Sequence, residues 1–289
     1  WPNACAPDHR HRSIPRDTGP AAPVRIHQPE SLAMPDLRTV LVQANQIWED
    51  KAANLRHYEA LLGTVGAADL VVLPEMFHTG FSMNAAELAE DSDGPGIAWL
   101  KQQAAARNCA FYASLIASED GRYLNRGVFV GPDGSVHSYD KRKCFTLAGE
   151  DRTYTAGTRE VIVEFRGWKL QLQICYDLRF PEIVRNRLDA SGSPAYDAIL
   201  YVANWPQRRS LHWQTLLRAR AIENQCYVIG VNRVGEDGKG LTYSGDSACI
   251  DLLGNEIACP AGQETVSVLT LSRSELDSTR AAIPFLKDR

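Results

Sequence analysis

The sequence contains no Cys-x-x-Cys pair, no run of eighteen apolar residues and no internal repeat. Its seven cysteines, at 5, 109, 144, 175, 226, 249 and 259, are odd in number and unpaired in spacing. That pattern suits a reducing cytosol and fits neither a disulfide framework nor a zinc site. The missing apolar run excludes a helical membrane span. Net charge is small as well: 31 Lys and Arg against 35 Asp and Glu leave −4, with a pI near 6. Phosphate binding needs clustered Lys and Arg, so nucleic acid is excluded as a partner. The seven histidines are scattered, with His9 and His11 near the N-terminus, so no metal and no cofactor are expected.

What is there suffices for one large domain: 289 residues, 44% hydrophobic and 23% charged. Residues 1–35 read as a disordered extension and 36–289 as the folded domain. The first 33 residues hold six of the fifteen prolines, lack apolar periodicity and begin with Trp. They also lack the apolar core of a signal peptide, and Met34 is the expected natural initiator.

From residue 38 strand-like and helix-like segments alternate. LRTVLVQA, LVVLPE, CAFYASLIA, YLNRGVFVG, AYDAILYVAN, CYVIGVN, SACIDLLG and TVSVLTLS read as strands, with Glu119-Asp120-Gly121 as a hairpin turn. Leu55, Tyr58, Leu62 and Val65 recur at helical spacing. So do Ile97, Leu100 and Ala104 after Gly94-Pro95-Gly96, and Trp213, Leu216, Leu217 and Ala221 further on. The sum is an α/β protein with helices covering sheet faces. Pattern alone leaves one sheet or two stacked sheets open. Arg208, Arg209, Arg218 and Arg220 suggest either an anion site or, at helical spacing, a solvated or interface face; the latter is expected.

Three strand ends carry chemistry. In residues 169–182 Leu170, Leu172 and Ile174 alternate with Gln171 and Gln173, predicting a half-buried strand. Cys175 follows at a polar turn, and Asp177 to Glu182 read as the start of a helix whose N-terminus would favour thiolate. The apolar run Leu70 to Leu73 stops at Pro74 and delivers Glu75, and a third strand ends at Lys141. A carboxylate, an ammonium and a thiol form a candidate base, oxyanion clamp and nucleophile. Each taken alone also fits a solvent or structural residue.

LPEMF, YDKRKCF and ICYDLRFPE, in this order and separation, closely resemble the nitrilase superfamily of carbon–nitrogen hydrolases. The likeness runs from about Asp36 to the C-terminus and implies a four-layer α-β-β-α sandwich. It places the family's Glu-Lys-Cys triad on Glu75, Lys141 and Cys175. AGEDRTYTAG resembles the segment with a further active-site glutamate, here Glu150, which would orient Lys141 or water; a capping or loop carboxylate is its other reading. Where many relatives have Lys-Arg-His-Leu-Phe, this chain has Lys141-Arg142-Lys143-Cys144-Phe145, a change expected to touch pocket shape. Tyr176, Asn204 and Trp205 lie past strand ends as candidate pocket residues. Arg179 would pair with a substrate carboxylate or bridge to Glu182 or Asp177.

The runs ANWP, LLRARAIENQ, GVNRVGEDG and YSGDS most resemble the omega-amidase branch, implying hydrolysis of small amides such as 2-oxoglutaramate and 2-oxosuccinamate. The alternatives are a deaminated-glutathione amidase, a carbamoylase or a nitrilase, and, outside catalysis, a scaffold or a redox-sensing thiol protein. A cytoplasmic homodimer is the expected state, the dimer being implied by the resemblance.

Overall fold

Alternation of side chains along the strands decides the layering. The computed structural model describes residues 35–289, so the expectations for residues 1–33 lie outside the described residues. In chain order the first strands are β1 (Leu37–Gln43), β2 (Leu70–Val72), β3 (Ala110–Glu119), β4 (Arg122–Val130), β5 (Val136–Asp140), β6 (Ile162–Phe165) and β7 (Trp168–Ile174). Then come β8 (Ala198–Ala203), β9 (Tyr227–Asn232), β10 (Val234–Glu236), β11 (Thr242–Ser244), β12 (Ala248–Ile250), β13 (Glu256–Ala258) and β14 (Thr265–Leu271). The longer helices are α1 (Lys51–Leu62), α2 (Pro95–Arg107), α3 (Ser210–Asn224) and α4 (Arg273–Ala282).

One sheet runs β14-β1-β2-β3-β4-β5 and the other β13-β12-β9-β8-β7-β6. Each has a parallel centre, β1-β2-β3 and β7-β8-β9, flanked by antiparallel strands. Leu70 and Val72 of β2 share a buried cluster with Leu172 of β7 and Leu200 of β8, so one face of each sheet meets the other. Val71 points the opposite way, to Tyr58 and Leu62 of α1 and Leu100 of α2. Ile199 and Tyr201 of β8 likewise pack on Trp213, Leu217 and Ala221 of α3. A strand apolar on both faces needs cover on both, and the result is the expected four-layer α-β-β-α sandwich.

Local signals explain the element ends. Asp50 caps α1 by accepting from Ala53 N–H at 2.9 Å, and Pro95 occupies the first turn of α2. Asp120 and Gly121 join β3 to β4 with φ of 51° and 72°, the geometry of a two-residue hairpin turn.

Three sequence expectations fail. The segment after Cys175 forms two short 3-10 turns, Cys175–Arg179 and Pro181–Ile183, and no α-helix. Pro181 forces Phe180 out of helical geometry (φ −115°, ψ 85°). β7 is buried on both faces: Gln171 donates to Glu160 at 3.0 Å, and Gln173 accepts from Tyr139 at 3.3 Å. The arginine stretch is no single solvated face. Arg220 is buried and donates to the Leu178 carbonyl, Arg218 bonds Gly254 and Glu256, and Arg208 and Arg209 turn to a cavity.

Candidate active site

Because β5 runs parallel to β2 within its sheet, their C-terminal ends lie on one rim, and the ends of β7 and β8 meet them from the second sheet. Glu75, Lys141, Cys175 and Asn204 follow these four ends. The sandwich thus gathers residues 129 positions apart: Asn204 N–H donates to Glu75 Oε2 at 2.8 Å, and its side-chain Nδ2 holds the Glu75 carbonyl at 2.6 Å.

Glu75, Lys141 and Glu150 form a buried cluster. Lys141 Nζ lies 2.9 Å from Glu75 Oε1 and 2.9 Å from both carboxylate oxygens of Glu150. Asn125 Nδ2 donates to Glu75 at 2.8 Å and to Glu150 at 3.1 Å. Glu150 Oε2 also accepts from Phe145 N–H at 2.5 Å. Every neighbour of the two carboxylates named here is an N–H donor. Burial disfavours the Lys141 charge, but Glu150 and Glu75 outweigh it and hold its pKa well above the ordinary lysine value. Glu150 is wholly buried, with both carboxylate oxygens on Lys141.

Cys175 sits beside this cluster, half-buried, with φ +44°. A residue with a Cβ is strained there, and the turn lifts the thiol off β7 toward a cavity. Burial, followed by the Glu75 charge, pushes the thiol pKa well above its ordinary value, and Lys141 only partly offsets this. This direction runs against the expected thiolate. No α-helix stands behind it to oppose that shift. Asp177 braces the turn: it accepts from Ile174 N–H (3.0 Å), Lys143 N–H (2.9 Å) and Tyr139 Oη (2.8 Å).

The cavity of about 240 Å³ is lined by Lys141 and Cys175 together with Phe81, Phe145, Tyr176 and Trp205. Tyr176 packs between Phe145 (5.0 Å) and Phe180 (5.2 Å). Trp205 is tied by its N–H to Asn232 and by its indole to the Arg209 carbonyl, so it both packs and lines the cavity. Arg179 bridges to neither Glu182 nor Asp177; it stacks on Trp205 at 4.6 Å and approaches His212 Nδ1 at 3.2 Å. Lys143 and Cys144 do not line the cavity, whereas Phe145 does.

Sequence reasoning missed Asn125, Asp177, Phe145 and the cavity-facing role of Arg209. For Asn125 the signal was a polar residue inside the strand run YLNRGVFVG, at a position that proves buried. Among the described residues no group of three or more His, Cys, Asp or Glu side chains is placed to hold a metal, and no helix is long and apolar enough to cross a membrane.

A rim of strand ends with a cysteine, a lysine and paired glutamates defines a carbon–nitrogen hydrolase site. The chain belongs to that family: the carbon–nitrogen hydrolase model matches residues 38–281. It is 45% identical over 257 residues to Omega-amidase YafV of Yersinia enterocolitica, covering 88% of this chain and 97% of that protein. It is 34% identical over 263 residues to the 2-oxoglutaramate amidase of Paenarthrobacter nicotinovorans, covering 86% and 87%. Among solved structures, XC1258 from Xanthomonas campestris, a CN-hydrolase superfamily protein carrying an arsenic adduct in its active site, superposes with a TM-score of 0.86. Its sequence is 46% identical, with 89% of this chain and 98% of that one covered.

Proposed function

We propose that this enzyme is an omega-amidase that hydrolyses the terminal amide of 2-oxoglutaramate and 2-oxosuccinamate to ammonia and the 2-oxo diacid. The observation that carries the reading is the 45% identity to Omega-amidase YafV across 88% of the chain. The site supplies the chemistry.

The Glu75 carboxylate takes the proton of the Cys175 thiol as sulfur attacks the amide carbon. The developing oxyanion is received by the Tyr176 N–H and the Lys141 ammonium. In the resting site Lys141 faces three carboxylate oxygens with three N–H bonds. Protonating Glu75 weakens its hold on one of them, which becomes available as the oxyanion forms. Glu150 keeps the ammonium in place through the exchange. Collapse passes the proton from Glu75 to the departing nitrogen, releasing ammonia and leaving a thioester on Cys175. Water then attacks the thioester with Glu75 again as base, and the proton returns to sulfur. Tyr176 and Trp205 wall the substrate, Arg179 adds positive charge, and Asn204 fixes Glu75.

The same reading includes a cytoplasmic homodimer. Unpaired cysteines support the compartment, and exposed Ile222, Leu253 and Ile257 supply apolar surface for a second copy. A monomer by light scattering at micromolar concentration contradicts the dimer. The function is tested by ammonia release from 2-oxoglutaramate, 2-oxosuccinamate, glutamine and a simple nitrile. The 2-oxo amides are expected to lead by orders of magnitude in kcat/KM; equal rates on glutamine or the nitrile refute the substrate.

A further inference from the structure

The cavity carries more positive charge than the protein neutralises. Arg179, Arg208, Arg209 and Lys239 all line it. Its acidic lining residue, Asp237, is already committed: it accepts from Tyr243 Oη at 2.8 Å, Lys239 N–H at 2.8 Å and Leu241 N–H at 3.0 Å. None of the three arginines forms an ion pair with a carboxylate among the described residues.

The three differ in what they already hold. Arg179 already lies over the Trp205 and Tyr176 rings and bonds His212 Nδ1 at 3.2 Å. Arg208 is exposed. Arg209 is half-buried, its guanidinium lies 5.3 Å over the Phe145 ring, and its side chain makes no hydrogen bond among the described residues. Its backbone is nonetheless fixed, because the Arg209 carbonyl accepts from the Trp205 indole at 2.8 Å. Burial, then Arg208 and Arg179, disfavour its charge. A desolvated, positioned guanidinium with free N–H bonds and like charges around it is complementary to a carboxylate, which it can bind with two parallel hydrogen bonds.

We propose that Arg209 binds the carboxylate of the substrate opposite the scissile amide and so sets the preference for anionic amides. This inference rests on the omega-amidase reading and assigns its anionic subsite to one residue. The guanidinium lies beside the Phe145 ring, and Arg209 and Cys175 line the same cavity, so one substrate can meet both.

The test compares kcat/KM for 2-oxoglutaramate with that for pentanamide, an uncharged amide of equal chain length, in wild type, Arg209→Gln, Arg209→Lys and Arg179→Gln. The wild-type ratio is expected to be large. Arg209→Gln should lower it on the order of 10- to 100-fold, mainly through KM, as loss of a charged hydrogen bond implies. Arg209→Lys should recover part of it, and Arg179→Gln should lower it less than Arg209→Gln does. A ratio in Arg209→Gln within twofold of wild type overturns the assignment, as does a larger loss in Arg179→Gln. A wild-type ratio near one refutes instead the omega-amidase reading on which the inference rests. Because the Arg209 side chain makes no hydrogen bond among the described residues, melting temperatures should match and the comparison stays interpretable.

Discussion

The Lys141 ammonium and the Glu75 carboxylate meet at 2.9 Å with side chains only 1% and 0% exposed. An ion pair so deeply buried stabilises mainly through mutual dependence, because removing one partner strands the other without solvent. Two carboxylates face one ammonium here, Glu75 and Glu150 each at 2.9 Å from Lys141 Nζ.

Lys141→Ala should therefore fail in two measurable ways. Its unfolding free energy should fall by about 3–5 kcal/mol, the usual cost of orphaning a buried charge. Its kcat should fall on the order of 10²–10³ through loss of an oxyanion donor. Urea titration reads the first and ammonia release the second; normal turnover would remove Lys141 from the mechanism.

Glu150→Gln separates positioning from chemistry. The amide keeps the shape of the side chain but surrenders the charge that faces Lys141 through two oxygens at 2.9 Å. We expect kcat to drop by roughly 10- to 100-fold, as displaced catalytic groups do, while KM for 2-oxoglutaramate changes little. Unchanged kcat would make Glu150 a structural carboxylate only.

How much of this was legible in the sequence depends on what each residue had to reveal. That Glu75, Lys141 and Cys175 follow strand ends was readable because each follows an apolar strand run or lies within a recognisable motif. The strands flanking β7 and β12 were less so. β6 (Ile162–Phe165) and β13 (Glu256–Ala258) are short sheet edges, and the β10–β11 pair has no apolar alternation. α4 was missed because it has a single buried apolar anchor, Leu276, and its other anchor is Arg273, which stacks on Trp168 at 4.0 Å and pairs with Asp197 at 3.2 Å, contacts made 76 or more residues away. Gln171 and Gln173 misled as well, since each is buried with a single side-chain bond to another segment, Gln171 to Glu160 and Gln173 to Tyr139. The thiolate expectation assumed a helix that Pro181 does not permit.

Stability should fall in mild acid through His78. This residue is fully buried and bonds Glu90 at 2.7 Å through Nε2, while its Nδ1 has no partner among the described residues. Burial lowers its pKa below the ordinary 6.5 despite Glu90. The unfolded chain therefore takes up a proton as pH falls below 6.5 before the folded protein does, and the stability held above that pH is lost. Asp177 works with the opposite sign. Burial raises it to about 6, so its contribution is complete below the ordinary 3.8 and is lost as pH rises through about 6. The difference between proteins isolates His78. The urea midpoint of wild type should fall more between about pH 7.5 and about pH 5.5 than that of His78→Gln; equal falls would contradict the assignment.

The Cys175 turn should depend on Asp177. Asp177→Asn turns at least one acceptor into a donor against Ile174 N–H, Lys143 N–H or the Tyr139 hydroxyl. Turnover is expected to fall by about 10²-fold, with KM much less affected. An Asn variant at wild-type kcat would show that the turn holds itself.

The central claim is that Cys175 carries the acyl group of a 2-oxo acid amide. Its most direct test is ammonia release from 2-oxoglutaramate by wild type and Cys175→Ala, with intact-mass analysis of wild type quenched in acid during turnover. The account predicts rapid release by wild type, a mass increase equal to the bound acyl group on Cys175, and no release by Cys175→Ala with an unchanged melting temperature. Ammonia release by Cys175→Ala near the wild-type rate would contradict it.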